Sequence, residues 1–255
     1  MKRVAIALLA GVAAVAGLSY SASAAELAVK AAPPPLPAPS WTGFYVGVHA
    51  GAARQSAPDW TLTTVNPTVL PTQSLASNSR LGGVGGVQGG YNWQFAATWL
   101  VGVEGDFSWA SLSDNRGAPL LPVIPPDNFQ MAASTQWLAS ARAKFGFIGW
   151  NTLWYVTGGG AWVNTEYSAN TQIFPGPSQA NTSFNTTKSG WVVGGGAEWM
   201  ATPNILLRAE YLYYGFDNSR SVQADLLAPA VGPGFTYNWD KYNVQVARIA
   251  ASYKF

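Results

Sequence analysis

From Trp41 to the carboxyl terminus, apolar and polar residues alternate with a period of two rather than 3.6. In residues 99–109, for example, Trp, Val and Phe side chains share one face, whereas Glu104, Asp106 and Ser108 share the other. This alternation is typical of β-strands with one apolar and one polar face. Eight strands are predicted, over residues 41–52, 81–93, 98–109, 135–148, 153–165, 189–200, 204–216 and 242–255. The fifth is so uniformly apolar that its faces stay unassigned.

The connections between these strands alternate between long and short. Three are short, at residues 94–97, 149–152 and 201–203. Four are long and rich in Pro, Ser, Asn and Thr, at residues 53–80, 110–134, 166–188 and 217–241. Bacterial outer-membrane barrels have short periplasmic turns and long outer loops. The pattern therefore predicts an antiparallel barrel, and the even strand number places both of its termini in the periplasm.

Two kinds of barrel fit the alternation, because a soluble ligand-carrying barrel turns its charged face outward and a membrane barrel turns it inward. Charged residues make up 10% of the chain, against roughly 25% in a soluble domain. Aromatic residues sit at the ends of the apolar faces, where interfacial girdles form: Trp93, Trp99, Trp109, Trp137, Trp191, Trp199, Tyr253 and Phe255. Both features favour an all-β fold, an eight-stranded antiparallel transmembrane β-barrel of the bacterial outer membrane.

The amino terminus has the pattern of an export signal. Lys2 and Arg3 precede an apolar run, residues 4–18, and the small-residue site Ala22-Ser23-Ala24 follows. A run this short predicts a cleaved signal peptide rather than a membrane anchor. The predicted organisation is a signal peptide over 1–24, a Pro-rich periplasmic spacer over 25–40 and an outer-membrane barrel domain over 41–255.

Four motifs carry a family resemblance: W-T-G-F-Y-V-G (41–47), G-V-E-G-D-F (102–107), A-E-Y-L-Y-Y (209–214) and R-I-A-A-S-Y-K-F (248–255). They resemble the outer-membrane immunogenic proteins of alphaproteobacteria, which are small surface β-barrels related to opacity proteins and to the membrane domain of outer-membrane protein A. The resemblance implies an eight-stranded barrel delivered to the barrel-assembly machinery through a carboxy-terminal aromatic signal, onto which Tyr253 and Phe255 map. It does not imply one settled activity.

The predicted inward faces carry charges of both signs: Glu104, Asp106, Glu198, Glu210, Arg142, Lys144, Arg208, Arg248 and Lys254. The lumen of an eight-stranded barrel is just wide enough for side chains to fill it, so these charges must pair. Similar heights on adjacent strands predict three pairs, Glu104 with Arg142, Glu198 with Arg208, and Glu210 with Arg248. We interpret the charges as a structural network, with an ion or proton path as the alternative. Inward glycines would leave room for water along such a path.

Other candidate sites are weaker. His49 is the only histidine, is predicted to face inward, and has no partner that the sequence reveals. The glycine-rich segment 81–90 lacks the Lys-Ser/Thr of a phosphate loop, so we interpret it as barrel wall. No metal-ligand spacing is present. The sequence thus predicts no catalytic, cofactor or metal residues, and a net charge of +2 gives no reason to expect nucleic acid as a partner.

The favoured hypothesis is a non-enzymatic barrel that contributes to envelope structure, contacts outer-membrane lipid and displays long surface loops. The first alternative is a small-solute channel. The second is a surface receptor or adhesin whose extracellular ligand the sequence does not identify. Aromatic residues in the predicted loops would anchor that ligand or pack within the loops themselves: Trp60, Phe129, Phe174 and Phe235.

Overall fold

The computed structural model describes residues 40–56, 60–64, 73–75, 80–119, 128–173, 178–216, 220–224, 235–239 and 242–255. These residues form twelve strands: β1 (Gly43–Ser56), β2 (Trp60–Thr64), β3 (Gln73–Leu75), β4 (Arg80–Gln94), β5 (Trp99–Pro119), β6 (Asn128–Gly149), β7 (Thr152–Ile173), β8 (Ser178–Thr202), β9 (Ile205–Phe216), β10 (Arg220–Ala224), β11 (Phe235–Trp239) and β12 (Tyr242–Lys254). Within those residues no helix is long and apolar enough to cross a membrane. The predicted signal peptide and residues 25–39 of the predicted spacer lie outside the described residues.

Eight of the strands close into an antiparallel barrel, in the order β1-β4-β5-β6-β7-β8-β9-β12 and back to β1. The predicted fold class is therefore confirmed. Residues 95–98, 150–151 and 203–204 make the three short turns, and we call their end of the barrel the turn end and the opposite end the loop end. At the turn end the Phe255 N–H donates to the Phe44 carbonyl, 2.9 Å away, so the backbone pairing between last and first strands continues to the final residue.

The strands are staggered, which fixes their tilt. Each barrel residue has a directly paired residue on the next strand. A path of such pairs that starts at Tyr45 goes once around the barrel and returns to β1 at Gln55, ten positions further along. A stagger of this kind requires strands tilted by roughly 35–45° to the barrel axis. With eight strands, the resulting interior is filled by side chains rather than open.

Side-chain burial follows the predicted faces. On β5, for instance, Val103 faces outward and is exposed, whereas Glu104 is buried. The structure also assigns the strand whose faces the sequence left open. In β7, Tyr155 and Leu153 are buried, whereas Trp154 and Val156 face outward.

Two rings of outward-facing aromatic residues surround the barrel. The ring at the turn end contains Phe44, Trp93, Trp99, Phe147, Trp154, Trp199, Tyr253 and Phe255, and the ring at the loop end contains Trp109, Trp137, Trp162, Trp191 and Tyr213. Trp99 and Trp109 are ten residues apart on β5, about 33 Å along the strand and about 25 Å in height after tilt. This height matches the apolar band of an outer-membrane barrel.

Four neighbouring strands continue past the loop-end ring. β5 and β6 remain paired as far as Pro119 and Asn128, and β7 and β8 as far as Ile173 and Ser178. The predicted connections 110–134 and 166–188 are therefore too long. Beyond the ring no lipid requires an apolar face, so the alternation that marks the strands inside the membrane stops although the pairing continues.

The long connections also contain a second sheet that the sequence analysis did not predict. Its strand order is β10-β11-β2-β3. The pairing of β11 with β2 joins the connection between β9 and β12 to the connection between β1 and β4. Its strands are three to five residues long. Alternation over so few residues is a weak signal within long Pro- and Ser-rich segments.

The lipid-facing wall predicts a depth-dependent effect of charge. Val103→Arg, near the middle of the apolar band, should lower the free energy of unfolding by about 2–4 kcal/mol, because the cation enters hydrocarbon. Ser113→Arg lies on the same face of β5 beyond Trp109 and should cost about 0–1 kcal/mol. Urea unfolding in lipid vesicles measures both. Equal losses would contradict the assigned membrane level.

Candidate functional site in the barrel interior

Eight charged side chains meet in the middle of the lumen, and each is at most 7% exposed. They are eight of the nine charges predicted to face inward, all except Lys254: Glu104, Asp106, Arg142, Lys144, Glu198, Arg208, Glu210 and Arg248. The strands carry these side chains into the lumen, because each charged residue occupies an inward position and its two neighbours along the strand, which are apolar or small, face outward. Four acids face four bases, so the formal charges balance.

Glu104 is the centre of this network. Its carboxylate lies 2.5 Å from Arg142 Nη2, 2.6 Å from Arg208 Nη1, 3.6 Å from Lys144 Nζ and 3.8 Å from Arg248 Nη2. All four basic side chains therefore converge on one acid, and no cation in the network depends on a single partner.

The remaining acids complete the arrangement around the two central arginines. Arg142 also lies 3.0 Å from both Asp106 and Glu210. Arg248 lies 2.7 Å from Glu210 and 3.3 Å from Asp106. Asp106 accepts a further hydrogen bond from the Ser140 hydroxyl at 2.5 Å.

Glu198 holds the turn-end side of the network. Its carboxylate lies 2.5 Å from Arg208 Nη2 and 3.5 Å from Lys144 Nζ. The structure thus brings together each of the three acid–base pairs that strand heights suggested. Lys254 is not one of these partners; its ammonium donates to the Ser40 carbonyl at the turn end.

Two tyrosines support the network from opposite sides. The Tyr45 hydroxyl donates to Glu104 at 2.5 Å, and the Tyr155 hydroxyl donates to Glu210 at 2.8 Å. The Lys144 ammonium lies 5.1 Å and 4.8 Å from the centres of the two rings, within cation–π range. The alternation that predicts an inward His49 also turns Tyr45 inward, four positions earlier on the same strand. Tyr155 was not predicted, because β7 has no recognisable polar face.

Buried apolar side chains pack on both sides of the charges. The turn-end layer consists of Trp41, Tyr45, Leu100, Ile148, Leu153, Tyr155, Met200 and Leu206. The loop-end layer consists of Ala53, Val84, Leu112, Leu138, Ala161, Val163, Val192, Leu212, Tyr214, Phe216, Val244 and Val246. The ion pairs therefore lie in a low-dielectric interior, where a pair is strong and an unpaired charge is costly.

Inward glycines do not leave the open space that the sequence suggested. A methyl group on Gly90 would lie 2.6 Å from the Tyr45 hydroxyl, and one on Gly196 would lie 2.9 Å from the Tyr155 hydroxyl. Both distances are shorter than real contacts of a Cβ atom. The tyrosine side chains therefore cross the neighbouring strand directly above the backbone of these two glycines, where any larger residue would block them.

His49 has partners that the sequence did not reveal. Its Nε2 lies 2.8 Å from the Ser108 hydroxyl and 3.3 Å from Arg248 Nη1. Both His49 and Ser108 are buried. Across the residues that the structure describes, no three His, Asp or Glu side chains are grouped as metal ligands.

Comparison with known proteins agrees with this architecture. The model of the family described as "Outer membrane protein beta-barrel domain" matches residues 10–255. The chain belongs to this family. It is also 30% identical to the 31 kDa outer-membrane immunogenic protein of Brucella melitensis, over 97% of this chain and 98% of that one.

One further relative and one solved structure were also matched. The chain is 29% identical to the 22 kDa outer membrane protein of Rhizobium leguminosarum, over 84% of this chain and 81% of that one. The crystal structure of the attachment invasion locus protein Ail of Yersinia pestis covers 84% of this chain and 99% of its own, with 17% identity and a TM-score of 0.38. The resemblance to the outer-membrane immunogenic proteins is confirmed, and this outer-membrane β-barrel contacts membrane lipid.

The charge network predicts a specific loss and recovery of stability. Arg142→Met should lower the free energy of unfolding of this outer-membrane barrel by about 3–5 kcal/mol, because buried acids lose a partner. Adding Glu104→Gln should recover part of the loss, since the network returns to three acids and three bases. Urea unfolding of the refolded barrel in vesicles measures each variant.

A matched control separates direct pairing from charge balance. Glu198→Gln, added to Arg142→Met, restores the same balance, but Glu198 pairs with Arg208 and Lys144 instead. Its recovery should be smaller than that of Glu104→Gln. Equal recovery by the two substitutions would show that pairing with Glu104 is unimportant.

Proposed function

We propose that the protein is a non-enzymatic outer-membrane barrel that contributes to envelope structure and carries its loop-end segments at the cell surface. The observation that supports this most is the closed interior, in which a neutral charge network lies between two apolar layers. Such an interior stabilises a wall and offers no solvated path. His49 and Ser108 lie inside it, away from any substrate at the membrane surface.

The same interior argues against the small-solute channel. An ion crossing the lumen would have to pass the loop-end layer, the paired charges and the turn-end layer, all of which are made of buried side chains. Balanced charges also provide no ring of one sign of the kind that selects ions in charge-selective channels. A channel would require the layers to separate.

The proposal includes an orientation, with the turn end and both termini in the periplasm. Short turns face the periplasm in bacterial outer-membrane barrels, and long loops face outward. Tyr253 and Phe255 are then the last outward aromatics of the closing strand, at 51% and 70% exposure. Their rings pack edge to face, 5.2 Å apart, and are accessible to the barrel-assembly machinery as its recognition signal.

A receptor or adhesin function is the second candidate, and the loop end supports it. β5 to β8 extend beyond the loop-end ring, and β2, β3, β10 and β11 form a separate sheet from the long connections. An ordered surface of this kind can present a binding face outside the membrane. The proposed anchor Trp60 lies in β2, Phe129 in β6 and Phe235 in β11, whereas Phe174 lies outside the described residues.

Conductance of the refolded barrel in planar bilayers tests the main proposal. We expect no steady conductance, or one well below that of porins with about 16 strands, because side chains fill the lumen. A variant with both Tyr45→Ala and Tyr155→Ala should conduct more than the natural chain, since it removes two large side chains beside the network. Large, stable channels formed by the natural chain would instead favour the solute-channel function.

Epitope tags test the orientation. A tag inserted just before Ser178, at the loop end, should bind antibody on intact cells. A tag at Asn151, in a turn, should bind antibody only after the outer membrane is permeabilised. Binding to the Asn151 tag on intact cells would reverse the proposed orientation.

A further inference from the structure

Four neighbouring strands share a row of directly paired residues in the first half of the barrel. Tyr45 of β1 pairs with Gly90 of β4, Gly90 with Glu104 of β5, and Glu104 with Arg142 of β6. The tyrosine crosses over the glycine, its hydroxyl donates to the glutamate at 2.5 Å, and the glutamate lies 2.5 Å from the arginine.

The other four strands repeat this row. Tyr155 of β7 pairs with Gly196 of β8, Gly196 with Glu210 of β9, and Glu210 with Arg248 of β12. Again the tyrosine crosses over the glycine, its hydroxyl donates to the glutamate at 2.8 Å, and the glutamate lies 2.7 Å from the arginine. Residue types, strand order, pairing and contacts all correspond.

The amino-acid sequence repeats in the same register. Residues 196, 210 and 248 each follow their counterparts 90, 104 and 142 by 106 positions. The segments around the glycines are V-Q-G-G-Y-N-W (87–93) and V-G-G-G-A-E-W (193–199), and those around the tyrosines are F-Y-V (44–46) and W-Y-V (154–156). A repeat in sequence and in contacts at once indicates two copies of one structural unit.

The two rows meet across the lumen. Arg142 lies 3.0 Å from Glu210, and Arg248 lies 3.8 Å from Glu104, so each arginine pairs with the glutamate of its own half and with that of the other half. The network charges of each half also balance. The first contributes Glu104, Asp106, Arg142 and Lys144, and the second contributes Glu198, Glu210, Arg208 and Arg248.

We propose that the barrel consists of two copies of one four-stranded unit, β1-β4-β5-β6 and β7-β8-β9-β12, and that each unit recognises the other through the crossed glutamate–arginine pairs. The surface that a unit presents to the lumen is thus an interface whose partner is a second copy of the same unit. β6 then corresponds to β12, and is an internal second copy of the closing strand.

The two candidate closing strands have the same pattern. Residues 141–147 of β6 read A-R-A-K-F-G-F, and residues 247–253 of β12 read A-R-I-A-A-S-Y. In both, an inward arginine precedes an outward aromatic, Phe147 or Tyr253, by five positions at the turn end. This correspondence rests on the assembly role proposed above for the carboxy-terminal strand.

Charges outside the repeated row distinguish the units. Two positions toward the turn end, β8 and β9 carry Glu198 and Arg208, where β4 and β5 carry Asn92 and Gly102. These extra charges pair with each other, and each also pairs with the first unit: Glu198 with Lys144, and Arg208 with Glu104. The units are therefore alike in the row that joins them and different beside it.

Circular permutation of the full chain tests the proposal. One permutant starts at Thr152 after the export signal, joins Phe255 to Ser40 through a flexible linker and ends at Gly149, so that β6 closes the barrel. Two matched permutants open the turns at 95–98 or 203–204 with the same linker, and each cuts a unit in two. Outer-membrane yield and the heat-dependent gel mobility of folded barrels measure assembly.

We expect the permutant that keeps both units to assemble within about twofold of the natural chain, and the other two to fall about tenfold below it. In those two, one unit is divided and the closing strand, β4 or β8, lacks the row arginine that β6 and β12 carry. Equal yields from all three, or a lower yield from the first, would overturn the proposal. Deleting Phe255 from the natural chain tests the assembly signal separately, without reference to the repeat.

Double-mutant cycles in the natural chain decide the question if no permutant folds. The pair Arg142→Met with Glu210→Gln, and the pair Arg248→Met with Glu104→Gln, should each show coupling of the same sign in the unfolding equilibrium. The equivalent within-unit variants, Glu104→Gln with Arg142→Met and Glu210→Gln with Arg248→Met, provide the reference. Absence of coupling in either crossed pair would overturn the proposed recognition between units.

Discussion

Backbone hydrogen bonding in hydrocarbon is the constraint on which the structure depends. A strand inside a membrane has no water for its N–H and C=O groups, so every edge must pair and the sheet must close. Here the pairing extends to the last residue, where Phe255 bonds to Phe44. Closure with eight strands leaves a narrow lumen, and that narrowness determines how every inward side chain must pack.

The lumen then imposes pairing on its charges. Burying an ion costs several kcal/mol unless its partners are well placed. Glu104 meets this condition by facing all four bases, and the tyrosines add hydrogen bonds from opposite sides. The network lies buried between the turn-end and loop-end layers, so removing one of its members leaves another buried charge without a partner. This pairing is what supports the structural role proposed above.

Alternation in the sequence predicted the membrane-embedded part of the fold and the members of the charge network. It failed at several places, three of which have clear physical reasons. Beyond the loop-end ring, which contains Trp137 and Trp162, no lipid requires an apolar face. The strands therefore continue there without alternating apolar and polar residues. Tyr155 lies in a strand whose inward residues are also largely apolar. The many partners of Glu104 depend on strand stagger, which only the paired register reveals. The proposed repeat was not predicted, because its four shared residues lie on four separate strands and do not form one continuous motif.

The balance of network charges within each unit has a consequence for how such a barrel can form. While strands are being added, the inward charges of an incomplete barrel face a lumen that the loop-end and turn-end layers have not yet closed. If the first four strands carried only acids, they would repel one another until the last strands arrived. Because Glu104 and Arg142 belong to the same unit, each half can satisfy its own charges first. The crossed contacts of Arg142 with Glu210 and of Arg248 with Glu104 can form only when both halves are present, so they favour the closed barrel over an open sheet.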